Sequence, residues 1–252
     1  ACKKTETLPE VIPVVNTPLT NGVPTDKKQN GYFYSALSAY SYTGGSSSIN
    51  YNVTYSAGFN DPEVSMPSSF NHYNNNQIFI SPANVDVGNI SINGTNVNKN
   101  ISNNNTVFYF GNTTTNAPAN FSATWITAGN KTFVPLNVTL PRGYPIINYS
   151  ALGIPVSMYR SAGYTLNFNN NIANYDSLIV ILDNFSGNKI RKVLTTSEST
   201  VTFTPQELSQ FPYNSLSMNI YTFNYTYQTV NNKKMVFESS NQYNVQSIYL
   251  YN

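Results

Sequence analysis

Catalysis needs nucleophiles, bases or metal ligands, and this 252-residue chain holds few: one Cys, one His, and 11 Asp and Glu together. The single histidine lies in Phe70-Asn71-His72-Tyr73-Asn74-Asn75-Asn76, with no acid beside it, and reads as a loop residue. A serine-type triad and a His-based zinc site both need more than that. Cys2 has no second cysteine to pair with, and a nucleophilic thiol needs a structured, electropositive pocket rather than a proline-rich terminus. Two-carboxylate glycosidase chemistry makes fewer demands, because its partners can be far apart in sequence. Its candidates are Asp61, Glu63, Asp86, Asp176, Asp183, Glu198, Glu207 and Glu238. Asp61-Pro62-Glu63 reads as a loop, Asp176 and Asp183 flank a strand, and Glu207 has a capping role. Calcium would want an Asp-x-Asp-x-Asp run, which is missing. Gly153-Ile154-Pro155 and Ala162-Gly163-Tyr164 match no phosphate-cradling loop. The expectation is a protein without an enzyme activity of recognisable type, with no metal and no cofactor.

Aromatic side chains are the remaining candidates for function: 20 Tyr, 14 Phe and one Trp. Trp125 shares a face with Phe121 and Ala123, a pattern that places it in a core. Tyr221, Tyr225 and Tyr227, and the pair Tyr249 and Tyr251, could form a display surface or line a second buried face. Charge points away from nucleic acid. Net charge is +2, and the basic residues are scattered as Lys3-Lys4, Lys27-Lys28, Lys233-Lys234 and the group Lys189, Arg191 and Lys192. Nucleic-acid binding needs a contiguous cationic surface. Asn-x-Ser/Thr triplets begin at Asn52, Asn89, Asn93, Asn112, Asn120, Asn130, Asn137, Asn148, Asn184 and Asn224 among others. In a chain so rich in these residues, composition alone accounts for most of them.

The elements that must position these residues are strands. Charged residues make up only 10% of the chain, against roughly 25% in an average protein. Tyr, Thr, Phe, Val and Ile suit a pleated, half-buried surface. Ile49-Asn50-Tyr51-Asn52-Val53-Thr54-Tyr55 alternates apolar and polar residues with period two. Further strands are predicted at 31–37, 77–81, 89–92, 106–110 and 121–126. Turns separate them at Gly44-Gly45-Ser46, Asn93-Gly94, Asn103-Asn104-Asn105 and Gly129-Asn130. Asn93-Gly94 is the strongest hairpin signal, because a type I′ turn needs two residues tolerant of positive φ. A boundary is expected in the proline-containing stretch 135–145, which could instead be an edge or a crossing strand within one sandwich. Beyond it seven strands are predicted, at 164–168, 177–183, 189–195, 200–204, 215–227, 233–239 and 243–251. In 215–227, Leu216, Met218 and Ile220 share one phase while Tyr221, Phe223, Tyr225 and Tyr227 share the other. A bulge near Ile220-Tyr221 would reconcile them, and so would burial of both faces. One short helix is predicted after Thr204, with Pro205 at its first position and Glu207 completing a capping box. No apolar run reaches the roughly 18 residues of a membrane-spanning helix. The longest is Leu178-Ile179-Val180-Ile181-Leu182.

The chain opens Ala1-Cys2-Lys3-Lys4-Thr5-Glu6-Thr7, and Pro9, Pro13, Pro18 and Pro24 follow before Gly31. This start resembles the mature end of bacterial lipoproteins, in particular uncharacterised surface lipoproteins of the Bacteroidetes group with β-sandwich modules. The resemblance covers the first residues and the general layout. It implies that Cys2 carries the lipid, that residues 1–30 form a tether, and that the protein is exported to the cell envelope as an outer-membrane lipoprotein. Two or more acyl chains are needed for stable anchoring, at about 0.8 kcal/mol per buried methylene. Surface lipoproteins of this group that bind glycans do so with exposed aromatic rings, and a glycan or another surface protein is the partner implied.

These readings converge on an all-β protein of two β-sandwich modules, 31–140 and 141–252. The second is immunoglobulin-like, with about seven strands and one short helix. The function expected is a non-catalytic cell-surface lipoprotein that serves as a binding or structural module. One rival is a fimbrial subunit or adhesin, although fimbrillins of this group mature by cleavage after an early arginine and the first arginine here is Arg142. The other is a glycoside hydrolase or esterase with an unfamiliar site.

Overall fold

A computed structural model of the chain describes residues 28–42, 50–65, 85–101, 106–114, 124–139, 144–148, 151–169, 171–184, 188–194, 196–211 and 215–252. Cys2, His72, the strand expected at 77–81, the turns at 44–46 and 103–105 and the stretch 140–143 lie outside them.

Among the described residues the protein is all-β apart from one short helix. In chain order the strands of the first part are β1 (Lys28–Tyr42), β2 (Asn50–Ser65), β3 (Ile90–Ile92), β4 (Thr95–Ile101), β5 (Val107–Thr114), β6 (Thr124–Thr127) and β7 (Leu136–Thr139). Then come β8 (Ile146–Ile147), β9 (Ser157–Tyr159), β10 (Tyr164–Asn167), β11 (Ile172–Ala173), β12 (Ser177–Asp183), β13 (Lys189–Leu194) and β14 (Thr200–Phe203). Helix α1 (Pro205–Leu208), β15 (Ser215–Val230) and β16 (Lys233–Tyr251) complete the chain. Twelve strands join one mixed sheet in the order β13-β12-β15-β16-β1-β2-β5-β4-β3-β6-β7, with β9 alongside the end of β16. Both β1 and β9 run parallel to β16, and the remaining pairs are antiparallel. The smaller pairs β10–β14 and β8–β11 stand apart from this sheet.

Two cores form on one face of the sheet. Cross-strand partners point to the same side, so Phe33, Phe237 and Thr226 share a face with Ile220, Tyr243 and Val245 through their pairings along β15 and β16. Near the Lys233 end of β16, Phe33 stacks on Phe237 with ring centroids 5.0 Å apart, and Trp125 meets Phe33 edge-on at 5.2 Å. Trp125 is on β6, five places from β1 in strand order, so the sheet must curl back over itself to bring the two rings together. Towards the other end, Leu178, Val180, Leu182, Met218, Ile220, Val245 and Leu250 pack with residues of β10, β14 and α1.

A buried polar seam separates the cores. Thr222, Asn224, Ser239 and Asn241 occupy the middle of the same face, all nearly inaccessible. Thr222 Oγ1 donates to the Asn241 carbonyl at 3.1 Å, and Asn241 Nδ2 donates to the Pro145 carbonyl at 2.9 Å. The chain crosses the seam at that point, with Tyr144 in one core and Ile147 in the other.

The local devices are those written in the sequence. Asn93 and Gly94 have φ of 47° and 81° and close the β3–β4 hairpin. Thr204 caps α1 with both arms of the capping box in place. The two phases of β15 are resolved mainly by burial of both faces, and the register shift falls at Leu216/Met218, not at Ile220-Tyr221. Two expectations need correction. The strands expected at 233–239 and 243–251 are one strand, β16, because Ser240, Asn241 and Gln242 are paired with β15 on one side and β1 on the other. The first strand starts at Lys28, inside the stretch assigned to the tether.

Candidate binding surface

Most of the acids that sequence reasoning raised as catalytic candidates have structural partners. Asp61 pairs with Lys233 at 3.3 Å and Glu63 with Lys234 at 3.0 Å, which ties β2 to the start of β16. Asp183 pairs with Lys189 at 3.0 Å across β12 and β13. Asp176 Oδ2 accepts the backbone N–H of Tyr225 at 2.9 Å. Glu198 adds its charge to the burial that pushes the Tyr175 hydroxyl upward. Glu207 closes the capping box and holds Lys192. The bond from Lys192 and the Thr204 backbone N–H hold its carboxyl below the usual range. Asp86 accepts from Gly88 N at 2.8 Å, Tyr109 OH at 2.8 Å and Lys99 Nζ at 3.0 Å. Partial burial pushes the Asp86 carboxyl up, but those three donors outweigh it and the net displacement is downward.

Glu238 is different. It is 0% exposed on the face opposite the two cores, on a strand paired on both sides. Tyr32, Ile179, Ile181, Tyr221, Phe223, Tyr225 and Val236 form a third apolar cluster on that face. The Tyr32 hydroxyl donates to Glu238 Oε2 at 2.6 Å. Burial drives the carboxyl up to about 8, against the opposing effect of that bond. Sequence reasoning counted Glu238 only as one acid among eight. Nothing in Phe237-Glu238-Ser239 marks it as buried, because both neighbours suit an ordinary strand.

The aromatic candidates divide sharply. Trp125 is fully buried, as its spacing predicted. Tyr221 and Tyr225 are buried as well, and Tyr221, Phe223 and Tyr225 stack in a ladder with centroids 6.3 and 6.0 Å apart. These line a second buried face and do not display. Tyr249 and Tyr251 are 53% and 51% exposed. Beside them stands Tyr159, 55% exposed, which sequence reasoning missed because the short strand β9 carries no alternation of its own. The parallel pairing Tyr249↔Ser157 and Tyr251↔Tyr159 brings it there, and the Tyr159 and Tyr251 rings lie 5.7 Å apart at 33°. Leu250 and Met158, the alternate residues, anchor both strands in the core beneath. Arg160 braces the rim: its backbone N–H donates to the Tyr251 carbonyl at 2.8 Å, and its guanidinium bonds the Phe211 carbonyl and the Asn252 side chain.

No family model matches this sequence, and no curated protein does. The site therefore stands on its own geometry. Among the described residues no group of three or more His, Cys, Asp and Glu could hold a metal ion. No described helix is long and apolar enough to cross a membrane. Of the Asn-x-Ser/Thr triplets, Asn184 and Asn224 are 3% and 1% exposed, so the folded protein offers neither to a glycosylating enzyme. Asn120 lies outside the described residues.

Proposed function

We propose that this chain is a non-catalytic, lipid-anchored β protein of the bacterial cell surface, and that Tyr159, Tyr249 and Tyr251 form a platform for a neutral saccharide. The observation that carries the reading is the exposure of these three rings while Tyr32, Tyr221 and Tyr225 in the sheet's middle are buried. A sugar ring presents C–H groups on one face and hydroxyls around its edge. Tyrosine rings accept the first, and the flanking Asn252 and Arg160 suit the second. Low formal charge agrees with an uncharged ligand. In this reading the residues before Lys28 are the tether, Cys2 carries the lipid, and the two halves that follow, divided near 140, are sandwich-like layers built on one shared sheet, the second immunoglobulin-like.

Two experiments test separate parts of the proposal. A glycan array probed with the intact chain and with Tyr159→Ala and Tyr251→Ala should give a saccharide signal that both substitutions reduce at least tenfold. An array without binders, or binding untouched by either substitution, removes the platform. Mass spectrometry of the native amino terminus should show an acylated Cys2. An unmodified thiol there ends the lipoprotein reading.

A further inference from the structure

We propose that Glu238 and Tyr32 form a proton-dependent clamp between β16 and β1: protonated, Glu238 holds the two strands together, and ionised, it loosens them. The observations are geometric. Glu238 has no exposed surface, its strand sits between β15 and β1, and Tyr32 reaches it from β1 at 2.6 Å. Tyr32 and Val236 are themselves register partners in the parallel β1–β16 pairing, so the bond staples the first strand of the sheet to the last. The surrounding cluster is aromatic and aliphatic, a setting in which a neutral carboxyl is tolerated and a carboxylate is costly.

The charged and titratable groups on this face among the described residues are few. From β1 there are Tyr32 and Tyr34, the register partner of Glu238, from β15 there are Tyr221, Tyr225 and Tyr227, and from β16 itself there is Lys234, paired with Glu63. Farther out, three strands from β16, β13 supplies Arg191, opposite Ile181, and Lys189, which is paired with Asp183 of β12. Asp176 holds the backbone of Tyr225. Burial lowers the proton affinity of Arg191 and so disfavours its own charge. The folded state keeps the Glu238 proton up to about pH 8, whereas an ordinary glutamate releases it near 4.5. Between these values the folded chain binds more protons than the unfolded one, so the contribution of this group to stability falls as pH rises through the window and is level above it.

Urea unfolding of wild type and Glu238→Gln at pH 5 and pH 8.5 reads this directly. The glutamine keeps the shape and a hydrogen-bonding head but cannot ionise. Its midpoint relative to wild type should rise between the two pH values, and a gap independent of pH would overturn the clamp. If the glutamine variant does not fold, a carbon-13 titration of the wild-type Glu238 carboxyl decides the matter: a midpoint near 8 supports the clamp and one near 4.5 overturns it. Amide protection factors separate a local clamp from general alkaline loosening. From pH 6 to pH 9 they should drop about tenfold or more around Tyr32 and Glu238 and stay level in β10 and β14, and an equal drop in all strands would overturn it.

Discussion

Trp125 shows how a single residue can be read from sequence and still hold something back. Its alternation with Phe121 and Ala123 placed it in a core, and its ring does lie fully buried against Phe33 and Tyr55. Its indole N–H has no hydrogen-bond partner among the described residues, a cost that only three-dimensional packing reveals. An unsatisfied buried donor costs about 1–3 kcal/mol, so the ring's apolar burial must outweigh it. Trp125→Phe should therefore be nearly neutral, while Trp125→Ala should lose about 3–5 kcal/mol in urea unfolding through the cavity it leaves. Glu238 is the opposite case. A lone acid in a strand of mixed polarity looks solvated, and its burial depends on which strands flank it, information that no window of its own strand contains.

At the scale of elements, legibility follows how local the determining contact is. The α1 capping box lies within four residues and was visible as Thr204, Pro205 and Glu207. Thr204→Ala should cost about 1 kcal/mol, seen as a lower melting temperature, because the Glu207 N–H loses its acceptor. Lys192 adds a second tie by pairing with Glu207 and standing 5.9 Å over the Phe203 ring. The Asn93-Gly94 turn was legible for the same reason. The short strands β8, β9 and β11 were not, since two or three residues carry no period and pairing alone defines them. The middle of β16 was misread as an interruption. Ser240, Asn241 and Gln242 look like a turn, yet they are paired with strands on both sides, with Asn241 buried and holding the Pro145 carbonyl. Tyr159 belongs to this group, and without it the sequence offers Tyr249 and Tyr251 only beside Tyr221, Tyr225 and Tyr227 as alternative display residues.

For the whole molecule, the all-β class followed from composition and alternation, but the way the two halves meet did not. Hairpin β15–β16 carries both cores on one face and the aromatic cluster on the other, and β1 adds to it from the opposite end of the chain. Loss of either core removes support from strands that the other core needs. Calorimetry should therefore show one cooperative transition, with calorimetric and van't Hoff enthalpies in agreement; two separate transitions would mean that the halves fold independently. The proposed function rests on a smaller feature, the three rings left exposed where this sheet ends. The most direct measurement is a titration of the intact chain with the strongest saccharide from the array, followed by the ring resonances of its tyrosines. Tyr159, Tyr249 and Tyr251 should shift together while Tyr32, Tyr221 and Tyr225 hold still. Saccharide binding that leaves those three rings unmoved would contradict the platform.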